Sequence, residues 1–382
     1  MSSSSVSPIL KEYGVFEASG VDATVAAHYG EPLKEQRRLV LGAEKFVATD
    51  YSHLDIVTVS GSDRHSWMTT LSSQIMDGMK AGDSRELMLL SMQGRIEFAP
   101  AALEDGEKLW LIAEAGQGQA LTEFLISMKF MLDVEIENVS NDYSVFVSFQ
   151  DPRVSAKAPE LLRSARIWED PWPGVVSGGA SYAALAEDQH PGKDFHRFFS
   201  VVLSKDLLKI ASELSLSGVW AAEALRIEAW RPRLSNEVDD KSIPHELDWM
   251  RTAVHLSKGC YKGQETIARV HNLGHPPRRL VFLDLDGSEH TLPVVGSTVY
   301  AGSKKVGKIT SVAQHWEAGP IALAVIKRSV DPEAELTVVE DSRGDEHNGG
   351  QQVSYAATQT VIVSPDAGQV AGRREMGNFL RR

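Results

Sequence analysis

Cys260 is the only cysteine in 382 residues, and it stands in the run Lys258-Gly-Cys-Tyr-Lys-Gly-Gln-Glu265. The thiolate is the reactive and metal-binding form of cysteine, and a nearby ammonium favours it. Lys258 lies two residues before Cys260, so in an extended segment both side chains share a face. Gly259 and Gly263 bracket the thiol. Glycines let the backbone turn sharply or approach a ligand closely. Gln264 and Glu265 add an amide and an acid within reach. The plainer reading is that Cys260 is a small buried hydrophobe. A single cysteine excludes an intramolecular disulfide, a zinc site of four cysteines and an iron–sulfur cluster held by one chain's thiolates.

Two other stretches carry chemistry. His271 and His275 have an H-x3-H spacing downstream of Cys260. A zinc site would need further ligands; no second cysteine exists, and HNLGHPP reads as a loop whose histidines lie near a polar cleft. The run LRIEAWRPR, from Leu225 to Arg233, mixes an acid with several bases. It reads either as a solvated helix end or as a heterocycle site. In the second reading the carboxylate accepts two N–H donors of a pterin-like ring, and arginines hold a carboxylate tail bidentately. Gly116-Gln117-Gly118 lacks the third glycine of a dinucleotide fingerprint and reads as a turn between strand and helix.

The elements that must position these residues alternate. Residues 54–59 are β-branched and alternating, which predicts a strand. Trp67, Leu71 and Ile75 fall on one helical face after Asp63. Residues 87–91 and 95–98 flank Gln93-Gly94 as a hairpin. Strands are expected at 109–113, 134–139 and 143–149, and helices at 120–131, 205–214 and 218–227. Residues 21–28 and 33–39 look helical or mixed. Residues 151–195, rich in Pro, Gly and Ser, read as a crossover. Beyond Pro277, six short strand-like runs predict a small antiparallel barrel. A polar hairpin loop is expected at 342–352, and the tail after Ser364 reads as disordered. This is an α+β pattern, not a doubly wound parallel sheet.

The net charge is −13, with 42% hydrophobic and 24% charged residues. An acidic surface argues against general adhesion to nucleic acid or anionic membranes, so no direct DNA binding is expected. Basic clusters occur locally at Arg231-Pro232-Arg233, at Pro276-Pro277-Arg278-Arg279 and among Arg373, Arg374, Arg381 and Arg382. No apolar run approaches the length of a membrane span, and the first residues lack the apolar core of a signal peptide. A cytoplasmic protein is expected.

The run Lys258–Glu265 resembles the K-G-C-Y-x-G-Q-E signature of the YgfZ folate-binding proteins, relatives of the glycine cleavage T-protein (aminomethyltransferase). The resemblance continues through GSDRHSWMTTLSSQ, GRIEFAPA, LIAEAGQGQALTEFL, LRIEAWRPR with SIPHELDW, and VGKITSVAQHWEAGPIALAVIKR, across residues 25–365. The wording around the signature is most similar to the actinobacterial branch. The resemblance implies a T-protein-like fold: two intertwined α+β folate-binding subdomains over residues 1–275, a C-terminal β-barrel over 276–365, and a tail over 366–382. It implies tetrahydrofolate or a derivative as cofactor. It also implies iron–sulfur client proteins such as radical-SAM enzymes, including those that modify tRNA. By position, Cys260 is the functional thiol and Lys258 its flanking base. Glu228 takes the place of the glutamate that contacts the pterin. Arg226, Arg231, Tyr261, Gln264, Glu265 and Arg269 join the folate-binding set, and Gly259 and Gly263 are motif glycines.

Two departures bear on activity. T-proteins carry an acidic pair after their G-x-I segment, where this chain reads Glu97-Phe98. A phenylalanine can neither orient an ammonium nor move a proton. After Glu228 come Ala229-Trp230, where T-proteins have Ala-Gly. Both argue against glycine cleavage. The resulting expectation is a tetrahydrofolate-binding accessory factor for assembly or repair of iron–sulfur proteins. The alternative is a folate-dependent one-carbon transferase or demethylase.

Overall fold

The structure, a computed structural model, describes residues 6–288, 291–340 and 353–369. Two five-stranded sheets and a closed six-stranded barrel carry most of the chain. The first sheet runs in the order Glu135–Asn138, Asp55–Ser60, Lys108–Ala113, Ala101–Glu104, Ser84–Glu86, antiparallel throughout. The second runs Arg166–Glu169, Phe198–Leu203, Tyr143–Ser148, Val47–Asp50, Ser215–Ser217, and only its last pair is parallel. The whole first sheet is therefore inserted in the chain between two neighbouring strands of the second.

Strand side chains alternate between faces, and here both faces of each sheet are covered. On the first sheet, Val57 and Val59 face helices Arg64–Leu71 and Gly118–Met128, while Ile56 joins the core between the sheets. On the second, Phe146 faces helix Leu207–Glu213, while Val145 and Val147 join that same inner core. Helix Val219–Glu228 is also buried in this inner layer. Sheets covered on both sides need near-continuous apolar strands, which is what VTV and VFV supply.

The barrel follows the order Arg278–Leu285, Gly319–Lys327, Lys304–His315, Thr298–Ala301, Leu336–Val339, Ser354–Val361. Val281, Leu283 and Leu285 fill its interior; Leu280, Leu323 and Val325 turn outward onto the inner core. The six runs expected from sequence are these six strands.

Several expectations are corrected. Residues 20–22 form a short 3-10 turn and Ala26–His28 a strand, because the backbone there pairs with Phe16–Glu17. The helix after Asp63 stops at Leu71, so Ile75 lies beyond it. His271 is not in a loop: helix Gln264–Leu273 contains it. Pro365 to Gln369 are ordered against the body, with Ala367 on the inner core and its carbonyl against His275. The expected loop at 342–352 and the tail beyond 369 lie outside the described residues.

Candidate functional site

The inner core holds a cavity of about 60 Å³ between the two sheets, walled by aromatic rings and charges. Tyr51, Trp168, Phe199 and Trp249 supply the rings; Glu86, Glu114, Glu223, Arg197, Arg231 and Arg233 supply the charges. Each arginine is committed. Arg233 reaches Glu114 at 2.6 Å, Asp22 at 3.0 Å and Glu223 at 3.2 Å. Arg231 bridges Asp170, at 3.2 Å, and Glu86, and its guanidinium lies over Trp172 and Trp249. Arg197 bonds Asp170 at 2.7 Å.

Buried charges persist only when paired and hydrogen-bonded. Burial pushes the carboxyl of Glu114 up, but Arg233 overcomes it and holds the group below its ordinary range. Asp170 is held low against burial in the same way by Arg231 and Arg197. The ion pairs form two clusters: Arg226 and Arg233 with Asp22, Glu114, Glu223 and Glu237, and Arg197 and Arg231 with Glu86 and Asp170. The cavity wall itself carries three carboxylates and three guanidiniums, and because the guanidiniums are spent on acids around them, the free lone pairs of the glutamates suit an N–H-rich group.

Glu86 has a second role. It also lines a larger cleft of about 480 Å³, together with Gln74, Asp77, Arg85, Thr252 and His255. That volume is in the range of small-molecule sites. Thr252 donates its hydroxyl to the outer oxygen of Glu86 at 2.5 Å, while Arg231 holds the other oxygen. The carboxylate is thus fixed at the wall shared by the two spaces.

The Cys260 turn begins next to His255, a residue of this cleft. The backbone N–H of His255 bonds the carbonyl of Ser73 at 2.8 Å, and that of Leu256 bonds Gly178 at 2.8 Å. Lys258 then folds inward: it is buried, its ammonium donates to the Ser72 carbonyl at 2.7 Å, and it sits 4.4 Å from the Tyr261 ring centroid. Burial pulls the Lys258 ammonium down to about 8, against the attraction of Cys260 and Asp77. Cys260 itself is exposed. The buried-hydrophobe reading of this cysteine therefore does not hold. The shared face expected for Lys258 and Cys260 is also corrected, because the segment is a turn, with one side chain inside and the other outside.

The two motif glycines differ. Gly263 has φ +86, and a Cβ there would lie 2.5 Å from the Ser91 carbonyl oxygen. At Gly259 a Cβ would meet nothing within 4 Å. Close approach to the hairpin strands Leu89–Leu90 and Ile96–Phe98 explains the first glycine; nothing in the structure explains the second. Gln264 donates to the Lys258 carbonyl at 3.2 Å and closes the turn. Lys262 pairs with Glu97 at 3.2 Å. Tyr261 is buried, and Glu265 and Arg269 are exposed on the following helix.

The other predicted residues separate. Glu228 is half exposed, at 50%, and faces His315 of the barrel at 3.3 Å. The carboxylate that its helix sends into the cavity is Glu223, five positions earlier. Arg226 is buried between Glu223 and Glu237, and Arg231 is fully engaged, so neither is free for a ligand's carboxylate as the structure stands. The basic cluster at Arg278-Arg279 is engaged or buried as well, while the one from Arg373 to Arg382 lies outside the described residues. Arg278 pairs with Asp239 and Glu246, and Arg279 is buried with no carboxylate partner among the described residues. His271 shares a hydrogen bond with the Tyr182 hydroxyl at 2.9 Å, and His275 meets Ala367 and Gln369. No group of three or more His, Cys, Asp or Glu among the described residues is placed to hold a metal ion.

Sequence reasoning missed Glu86, Glu114, Glu223, Arg197 and Trp249. Glu86, Glu114, Arg197 and Trp249 sit at or beside the end of a strand or helix and Glu223 lies inside helix Val219–Glu228; they are far apart in sequence, and only the fold collects them. Glu114 carried one signal: an acid directly after the apolar strand Lys108–Ala113.

The fold defines the class: it is the glycine-cleavage aminomethyltransferase fold, mixed α+β with a closed barrel. Aminomethyltransferase T from Bartonella henselae superposes with a TM-score of 0.68, covering 92% of this chain and 94% of that one at 17% identity. No family model matches the chain. Among curated proteins, it is 25% identical over 333 residues to an aminomethyltransferase of Corynebacterium aurimucosum, covering 83% of this chain and 87% of that one. A putative chloroplastic transferase of Arabidopsis thaliana is 27% identical over 279 residues, covering 69% of this chain and 61% of that protein. The chain is thus a relative of the aminomethyltransferase-like proteins. No helix among the described residues is long and apolar enough to cross a membrane.

Proposed function

We propose that the protein binds tetrahydrofolate and serves iron–sulfur proteins in the cytoplasm through the thiol of Cys260. The reading rests on one observation above others: the Lys258–Glu265 turn is anchored by Lys258 and Gln264, yet its thiol is left exposed, five residues beyond His255 of a cleft that shares Glu86 with the central cavity. A pterin ring offers N–H donors to carboxylates, which suits Glu86, Glu114 and Glu223. The remainder of a folate suits the outer cleft. The cavity of about 60 Å³ holds only a few waters, so ring entry requires side chains to move. One thiolate supplies one ligand to a cluster whose other ligands come from a client. This role belongs to the YgfZ-type proteins that the signature resembles.

Titration calorimetry with tetrahydrofolate tests the binding half. The other half is tested in a strain lacking the gene, by the activity of radical-SAM enzymes after complementation with wild type or Cys260→Ala. Full restoration by Cys260→Ala sinks the thiol role.

A second reading, a folate-dependent one-carbon transferase, is favoured by the activity named for the relatives. Its weak point is Phe98, which stacks against Phe124 at 5.8 Å and brings no carboxylate to the place of the acidic pair. Formation of 5,10-methylenetetrahydrofolate from tetrahydrofolate and an aminomethyl donor is the outcome that would favour this reading over the first.

A further inference from the structure

In the central cavity the charged groups are mutually satisfied, but one polar group is not. Trp249 is 2% exposed and lines the cavity. Its indole N–H has no hydrogen-bond partner among the described residues. Three other buried indoles behave differently. Trp110 donates to Asp105 at 2.7 Å, Trp168 to the Arg85 carbonyl at 2.7 Å, and Trp172 to the Ala229 carbonyl at 2.9 Å. Buried Trp N–H groups normally find an acceptor, and leaving one without a partner destabilises the fold.

The ring is also held in place. The backbone N–H of Trp249 bonds the Pro244 carbonyl at 3.1 Å, and the Arg231 guanidinium sits 5.5 Å from its centroid. Arg231 in turn is fixed by Glu86 and Asp170. A rigid, uncommitted donor therefore stands in a wall whose carboxylates and guanidiniums are already paired.

We propose that Trp249 determines ligand specificity by donating its indole N–H to an acceptor atom of the bound ring. The inference rests on the folate reading above and sharpens it. The carboxylates of Glu86, Glu114 and Glu223 can accept from N–H donors, but they repel a carbonyl oxygen. Trp249 does the reverse. A ring with donors and one acceptor side by side satisfies both, and a pterin meets that description through its 2-amino group, its N3–H and its 4-oxo oxygen. In an analogue with a 4-amino group the acceptor at position 4 becomes a donor and N3 loses its hydrogen, so the indole N–H faces a donor and the carboxylates lose the N3–H.

The experiment measures binding of tetrahydrofolate and of its 4-amino analogue to the full chain, as wild type and as Trp249→Phe, by calorimetry. Wild type should prefer the 4-oxo ligand by at least about tenfold, since a site built around a hydrogen bond rejects a ligand that cannot make it. Trp249→Phe keeps a ring in the wall and should bring the ratio to within about threefold of unity, through weaker binding of the 4-oxo ligand alone. Ligand-free Trp249→Phe should melt no lower than wild type, because it removes a buried donor without a partner. A merely structural role predicts a lower melting temperature and equal losses for both ligands, and that result overturns the proposal. Equal binding of both ligands by wild type also overturns it. If wild type binds neither ligand, the folate reading falls and takes this inference with it, an outcome distinct from the other two.

Discussion

The central cavity and the Cys260 turn solve opposite problems with similar residues. In the cavity, the charges of Arg197, Arg231 and Arg233 are consumed by neighbouring carboxylates, and the result is a rigid wall. At the turn, one buried ammonium and one strained glycine hold the backbone, and the reactive group is left without a partner bond. Pairing everything fixes shape; leaving one group out fixes where reaction with a second molecule occurs. On the function proposed above, a single chain thus separates holding a ligand from presenting a nucleophile.

The sharpest way to break the cavity is Arg231→Ala. It leaves Glu86 and Asp170 short of a countercharge in a dry site, so a loss of about 3–5 kcal/mol in urea denaturation is expected. The turn should keep its alkylation chemistry in whatever fraction remains folded, and a matching loss of Cys260 labelling in that fraction would show that the two regions are not separable.

Next in size is the pH response of Lys258. Its ammonium falls from the ordinary 10.5 to about 8 on folding, chiefly through burial. Between those values the unfolded chain binds more protons than the folded one, so stability rises with pH from about 8 to about 10.5. Below about 8 both states are charged and the burial penalty is fully present, on the order of 3 kcal/mol. Lys258→Met should flatten the stability profile over that window, measured by chemical denaturation at a series of pH values. An unchanged slope would mean that Lys258 is solvated in the folded protein.

Gly263→Ala should cost about 1–3 kcal/mol, because it combines a left-handed backbone with a Cβ driven into the Ser91 carbonyl. Gly259→Ala should fall within about 0.5 kcal/mol of wild type. Thermal melts of the two variants side by side check this contrast. If Gly259→Ala abolished the cellular role while leaving stability intact, that glycine would be serving a partner's approach.

Local patterns were legible where the signal was local. The barrel was visible in six short alternating runs because each strand of a small barrel has an inside and an outside. The turn was visible because Cys260, Lys258 and Gly263 lie within six residues of one another. The cavity was not. Its acids come from strand Ser84–Glu86, from the end of strand Lys108–Ala113 and from helix Val219–Glu228, and nothing local distinguishes them from surface acids. Glu228 misled for the same reason. A helix turns about 100° per residue, so the choice between Glu223 and Glu228 depends on which side the core lies. The arginine clusters misled too: Arg-Pro-Arg resembles a surface patch until the carboxylates of Asp22, Glu86 and Glu114 are brought beside it.

The nesting of one sheet within another has a consequence for synthesis. The first sheet is complete once residue 138 has been made, since all its strands lie between 55 and 138. The second needs Ser215–Ser217 to lie parallel to Val47–Asp50, a pairing across more than 160 residues. Loop closure costs only slowly more with length, but such distant pairings form late and slowly. On a ribosome that adds about 5–20 residues per second, the strand Val47–Asp50 therefore waits on the order of ten to thirty seconds for its last neighbour. During that interval its open edge is a site for wrong pairing, and the early-folding insertion shortens the distance that the remaining chain must close.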